Sequence, residues 1–149
     1  MSTIFADKFK NTSGGNPVQI NQLRGIDTAG SITVQGEGSN TTNLQQGLAK
    51  AWYVFDGGRT TGTTTLEDDF NIASVLDNGT GDTTLTFTNN MNSATTYTVV
   101  NSTFITSGQS DMSGCIERTT STHTVQDSHD NGAATDMERT YGTVHGDLA

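Results

Sequence analysis

At 149 residues with a net charge of −9, the chain is long enough for one domain, or for a small domain on an extended segment, and too short for two enzymatic domains. Without its 17 glycines 31% of it is apolar, and counted with them it is still below the roughly 45–50% of a typical soluble domain, so part of its apolar burial is expected between chains. The acidic balance argues against nucleic acid as a direct partner, because phosphate neutralisation needs clustered Lys and Arg.

Low hydrophobicity and charge of one sign also fit disorder, but the residue types do not. The chain has one proline, seven Lys and Arg together, and 28 threonines. Threonine alternating with Val, Ile, Leu and Phe suits a half-exposed pleated sheet and predicts ordered β structure with hydroxyl-rich outer faces. Cys115 is the only cysteine, which rules out an intrachain disulfide and a zinc site of Cys type; it reads as a small buried side chain in a strand. The first residues lack the apolar run of a signal peptide, and no stretch approaches the ~20 apolar residues of a membrane span, so no membrane insertion is expected.

In chain order, Ile4, Phe5 and Phe9 stand among polar neighbours before the turn-rich stretch 11–16. They read either as a short docking arm or as a frayed terminus. Val18 and Ile20, then Ile32 and Val34, each two apart, predict two short strands with one narrow apolar stripe apiece, which three copies around an axis could bury. Residues 36–43 are the clearest linker. Ala49 to Phe55 holds the only tryptophan and the densest aromatic run, a strand pattern. Residues 70–76 and 83–88 alternate on either side of 77–82, which contains Asn78-Gly79. They predict a hairpin with a loop longer than two residues and with Phe70, Ile72, Leu85 and Phe87 on one face. Further strands are expected at 97–105, near 115–124 and at 138–145, with a turn at 127–132. Strands so spaced without intervening helices indicate a sandwich.

From Gly47 onward the chain resembles the C-terminal domain of short tail-fibre and virion structural proteins of marine phages, especially those infecting cyanobacteria. The residues that carry the likeness are Gly47-Leu48-Ala49-Lys50-Ala51-Trp52, Phe70-Asn71-Ile72 with Ser74, Asp77 to Asp82 leading into Leu85-Thr86-Phe87-Thr88-Asn89, Met91, Tyr97-Thr98-Val99-Val100, and Val144-His145-Gly146-Asp147-Leu148. The stretch Gly58 to Gly62 and the acids Glu67, Asp68 and Asp69 depart from that pattern, and a long fibre shaft is missing. The resemblance implies an all-β virion protein, homotrimeric, assembled in the host cytoplasm, without catalytic residues or cofactor.

Several constellations invite chemistry. His123, His129 and His145 with Asp127, Asp130 and Asp136 suggest a metal site, but the histidine spacing matches no zinc pattern and solvated loop residues are the simpler reading. The consecutive Glu67, Asp68 and Asp69 alternate faces on a strand and cannot share one cation. Asp77 to Asp82 lacks the full spacing of a calcium loop.

The reading is then a non-enzymatic protein with an N-terminal attachment arm and short β segments at 1–46 and an antiparallel β-sandwich at 47–149. Trp52, Phe55, Phe70, Phe87 and Val99 are its expected core, Ile4, Phe5 and Phe9 its expected docking residues, and no catalytic, metal or cofactor site is expected. Its expected partners are further copies of itself, other tail or capsid proteins and a host surface glycan or receptor. A capsid decoration or head-fibre protein is the alternative within the virion, and a host-glycan depolymerase the enzymatic one, although the usual long β-helix repeat is absent.

Overall fold

The structure is a computed structural model and describes residues 32–35, 40–106 and 111–149. The expected docking residues Ile4, Phe5 and Phe9, and the expected strand at Val18 and Ile20, lie outside the described residues. Strand β1 (Thr33–Gln35) pairs antiparallel with β2 (Thr41–Asn43), so part of the expected linker closes a hairpin. One helical turn, α1 (Leu44–Gly47), follows and leads to the sandwich.

Eight strands form that sandwich: β3 (Ala51–Gly57), β4 (Thr64–Phe70), β5 (Ile72–Gly79), β6 (Asp82–Phe87), β7 (Thr98–Phe104), β8 (Asp111–Arg118), β9 (Thr122–His129) and β10 (Arg139–His145). They make two four-stranded antiparallel sheets, ordered β4-β3-β10-β7 and β5-β6-β9-β8. The protein is an all-β sandwich. Its core is Ala51, Tyr53, Phe55, Ile72, Leu85, Phe87, Met91, Tyr97, Val125 and Val144, with Leu66, Val75, Val99 and Leu148 packed against it.

The period of two along each strand decides which side chains reach that core. In β3, Ala51, Tyr53 and Phe55 face inward, so Trp52 faces outward and is 37% exposed, a correction to its expected core position. Phe70 is corrected as well. It ends β4 and is 52% exposed, while Ile72 begins β5 in the opposite sheet and is buried.

Between Phe70 and Ile72 stands Asn71 at φ 63°, a left-handed conformation that asparagine tolerates better than most residues. Its amide Nδ2 donates to the Lys50 and Asn89 carbonyls (3.0 and 3.1 Å), and its Oδ1 accepts from the Asn89 backbone N–H (2.7 Å). The chain therefore changes sheet at Asn71, and alternation does not carry across it.

The β5–β6 hairpin is present but tighter than expected. Gly79 lies opposite Asp82, leaving Thr80-Gly81 as the loop. The single expected strand near 115–124 is two strands, β8 and β9, joined at residues 119–121, where the Thr119 Oγ1 accepts from the Ser121 and Thr122 N–H groups (3.1 and 2.9 Å). The chain arrives at the end of the sandwich that also holds residues 71, 88–97 and 119–121; there the Lys50 N–H donates to the Val144 carbonyl (2.7 Å). The pairing registers put the connections 58–63, 80–81 and 130–138, the end of β7 at Phe104 and the start of β8 at Asp111 at the other end.

Candidate interaction face and the polar core behind it

The two sheets present opposite kinds of outer surface. On the β5-β6-β9-β8 sheet, hydroxyls dominate the centre: Thr84 lies opposite Thr124 and their Oγ1 atoms are hydrogen-bonded at 3.0 Å. Leu76, Met112 and Ile116 stand exposed only on its edge strands.

The β4-β3-β10-β7 sheet is aromatic instead. One register row runs Phe70, Trp52, Thr143, Val100 across all four strands, and the next runs Asp68, Val54, Tyr141, Ser102. Trp52, Phe70, Val100 and Phe104 are all exposed. A shallow groove of about 330 Å³ runs along this face between Trp52, Val54, Val100 and Tyr141. At one end of the face Arg139 reaches over β3 to Glu67 with two bonds, Nε to Oε2 (2.8 Å) and Nη2 to Oε1 (3.0 Å), and that pairing holds the guanidinium above its ordinary pKa.

Behind the face lies a polar device. Gly142 sits between Tyr53 and Asn101 in one register row, and a Cβ there would come within 2.1 Å of the Tyr53 ring. The missing side chain lets Tyr53 lie across β10 and donate its hydroxyl to Asn101 Oδ1 (2.6 Å). Having donated once, the Tyr53 oxygen accepts from His123 Nε2 (3.0 Å) on β9 in the facing sheet. His123 is thus assigned as the Nε2–H tautomer, leaving a bare Nδ1 that has no partner. Its ring lies 5.3 Å from those of both Tyr53 and Phe87. Burial pushes its pKa down to about 4 and pushes that of Tyr53 above the ordinary phenol range.

A second polar link joins the sheets closer to the loop end. Thr140 Oγ1 on β10 donates to Asp127 Oδ2 on β9 at 2.6 Å. Asp127 Oδ1 and the Ser113 Oγ on the directly opposite residue of β8 are both buried without a partner. Burial raises the Asp127 pKa, against the lowering by the hydrogen bond from Thr140. His129 Nδ1 meets Asp111 Oδ1 at 2.9 Å beside it.

His123 has no solvent exposure, so no substrate can reach it, and Asp127 is four residues further along the same strand, ~13 Å at the rise of a β-strand. The three histidines are scattered between the core, the Asp111 ion pair and the end of β10, and among the described residues no group of His, Cys, Asp or Glu could hold a metal ion. Among them, too, no helix is long and apolar enough to cross a membrane.

Of the expected core residues, Phe55 and Phe87 are buried and Val99 packs against the core; Trp52 and Phe70 belong to the outer face. Sequence reasoning missed the pairing of Tyr53 with Asn101 and the outward faces of Val100 and Tyr141, and its simpler reading of His123 as a solvated loop residue is corrected: His123 is buried on β9. The signal was the parity of Ala51–Phe55, where one set of alternate residues must face away from the other.

The chain is a β-sandwich whose exposed aromatic side chains gather on the outer face of one sheet. Comparison with family models, with curated proteins and with solved structures finds no match for it.

Proposed function

We propose that this chain is a non-enzymatic structural subunit of a phage particle, one copy of a homotrimer that forms a tail fibre or short fibre-like appendage mediating attachment to the host. The observation that supports this reading best is the aromatic outer face of the β4-β3-β10-β7 sheet. Large exposed apolar patches rimmed by polar groups mark contact surfaces, and a chain with so little apolar content gains from covering one. The buried titratable groups tie the two sheets together and have no route to a substrate, which favours a structural role over polysaccharide cleavage.

The loop end of the sandwich, opposite the end where the chain arrives, supplies the surface for host contact. It gathers Asp77, Asp82, Asp130, Asp136 and Glu138, so the host group recognised there is not a polyanion. The test is to label purified particles with antibody against the full chain. Labelling at the tail supports the proposal, labelling over the head shifts it to capsid decoration, and chain found only in the free lysate overturns it. Release of reducing ends from host envelope polysaccharide by the purified chain would overturn its non-enzymatic part.

A further inference from the structure

We infer that the outer face of the β4-β3-β10-β7 sheet is the surface that three copies of this chain turn toward a common axis, with Trp52 and Val100 in the seam. This inference rests on the homotrimer reading above and adds the surface that makes it.

Size is the first reason. Four strands at about 4.8 Å spacing make a face ~19 Å wide, and three such faces set as the sides of a triangular prism place each sheet ~5.5 Å from the axis. Packed sheets lie about 10 Å apart, so each contributes about 5 Å of side chain. Three of these faces therefore close on one another with their side chains filling the space. A wider sheet would leave a hole.

The distribution of apolar groups is the second reason. The row from Phe70 through Trp52 to Val100 is apolar from one edge strand to the other, with only Thr143 between, and Phe104 extends it along β7. At 36–64% exposure, Trp52, Phe70, Val100, Phe104 and Tyr141 leave on the order of 450 Å² of largely apolar surface open. A stable contact buries about 800 Å² per partner, so these apolar groups form the centre of the seam and the polar side chains of the same face its rim. A single sugar ring would cover only a fraction of it.

Charge is the third. The Asp, Glu and Arg residues at outward positions of the four strands are Asp56, Glu67, Asp68 and Arg139; Glu67 and Arg139 pair with each other, Asp56 is nearly buried and accepts from the Gly58 N–H, and Asp68 is exposed. Asp68 and Glu67 lie on the β4 edge, and the β7 edge carries no charged residue. Threefold closure sets the β4 edge of one copy beside the β7 edge of the next, so acid meets a neutral neighbour. Each whole chain nevertheless carries −9, and association of like-charged copies strengthens as salt screens them. A basic partner on the same face would show the opposite salt dependence.

Sedimentation equilibrium of the full chain, with the fluorescence of Trp52, its only tryptophan, tests this. We expect three chain masses, tighter association at 300 mM than at 30 mM salt, and weak acrylamide quenching. Val100→Glu and Phe104→Lys, both at outward positions that leave the core untouched, should each give a folded monomer by circular dichroism, with quenching raised several-fold. Ile116→Glu, on the outer face of the other sheet, should stay trimeric with Trp52 shielded. If the wild-type is trimeric and Val100→Glu and Phe104→Lys remain so, this face is not the seam, although the homotrimer stands. A wild-type dimer overturns the threefold closure, a wild-type monomer at all concentrations overturns the homotrimer with it, and association weakened by salt overturns the self-contact.

Discussion

Two phenylalanines of similar sequence context separate core from surface at the level of the single residue. Phe87 is 3% exposed, with its ring 5.9 Å from Tyr97 at 84° and 5.3 Å from His123. Phe87→Ala should cost about 3–5 kcal/mol in urea unfolding, as for other large aromatic truncations that leave a cavity. Phe70→Ala, measured the same way on a monomeric Val100→Glu background, should cost less than about 1 kcal/mol, because its side chain faces water there. Equal losses would mean that Phe70 is packed. His123 predicts a pH dependence. Its folded pKa, about 4, lies below the ordinary 6.5, so the unfolded chain binds a proton more readily. The stability that neutral His123 contributes is whole above pH 6.5 and is lost as the pH falls toward 4, by at most about 3 kcal/mol. Asp127, raised by burial, works in the opposite direction, its contribution being whole at low pH and lost as the pH rises through its folded value. Urea midpoints at pH 7.5 and 4.5 should therefore fall on acidification, and the fall should be visibly smaller in His123→Gln.

At the scale of elements, the strongest dependence is that of β3 on β10. Gly142→Ala would drive a methyl group into the Tyr53 ring, displacing the phenol from Asn101 and His123; overpacking of this kind costs about 1–3 kcal/mol, read as a lower thermal midpoint. Nothing in the sequence singles out Gly142, since its reason is a ring on a strand about 90 residues away, one that packs across the sheet rather than along the chain. What was legible was local. The β5–β6 hairpin followed from alternation around Asn78-Gly79, and the sandwich class followed from the spacing of such segments. Phe70 was misplaced because alternation holds only within one strand, and the corner at Asn71 depends on a left-handed φ and an asparagine hydrogen-bonded to distant carbonyls. The interaction face was misread for a related reason: hydrophobicity marks Trp52 and Tyr53 equally, and only the facing sheet decides which of two adjacent aromatic residues is buried. The β8–β9 turn went unseen because Thr119, Thr120 and Ser121 carry none of the usual glycine or proline signals, and the Thr119 hydroxyl supplies the turn instead.

Across the whole molecule, the two sheets differ in how far apart in sequence their strands lie. The β5-β6-β9-β8 sheet is two local hairpins, β5–β6 and β8–β9, joined along β6 and β9. The β4-β3-β10-β7 sheet has one local hairpin, β3–β4; β10, the last strand, lies at its centre beside β3, and Tyr53 pairs with Gly142 across about 90 residues of chain. Closing that loop costs chain entropy before any contact offsets it, so the second sheet should form late. Refolding from urea should fall in the millisecond-to-second range of sandwich proteins. In pulsed hydrogen exchange, the amides of β6 and β9 should gain protection before those of β3, β7 and β10. The outer aromatic face exists only once β10 has docked, because Thr143 and Tyr141 fill its central column between Trp52 and Val100. Assembly through that face must then follow folding of the single chain, and its rate should rise with protein concentration while the protection of β6 and β9 does not. Protection of all five strands in one concentration-dependent phase would instead make association part of the folding step, and the isolated sandwich would have no stable β10.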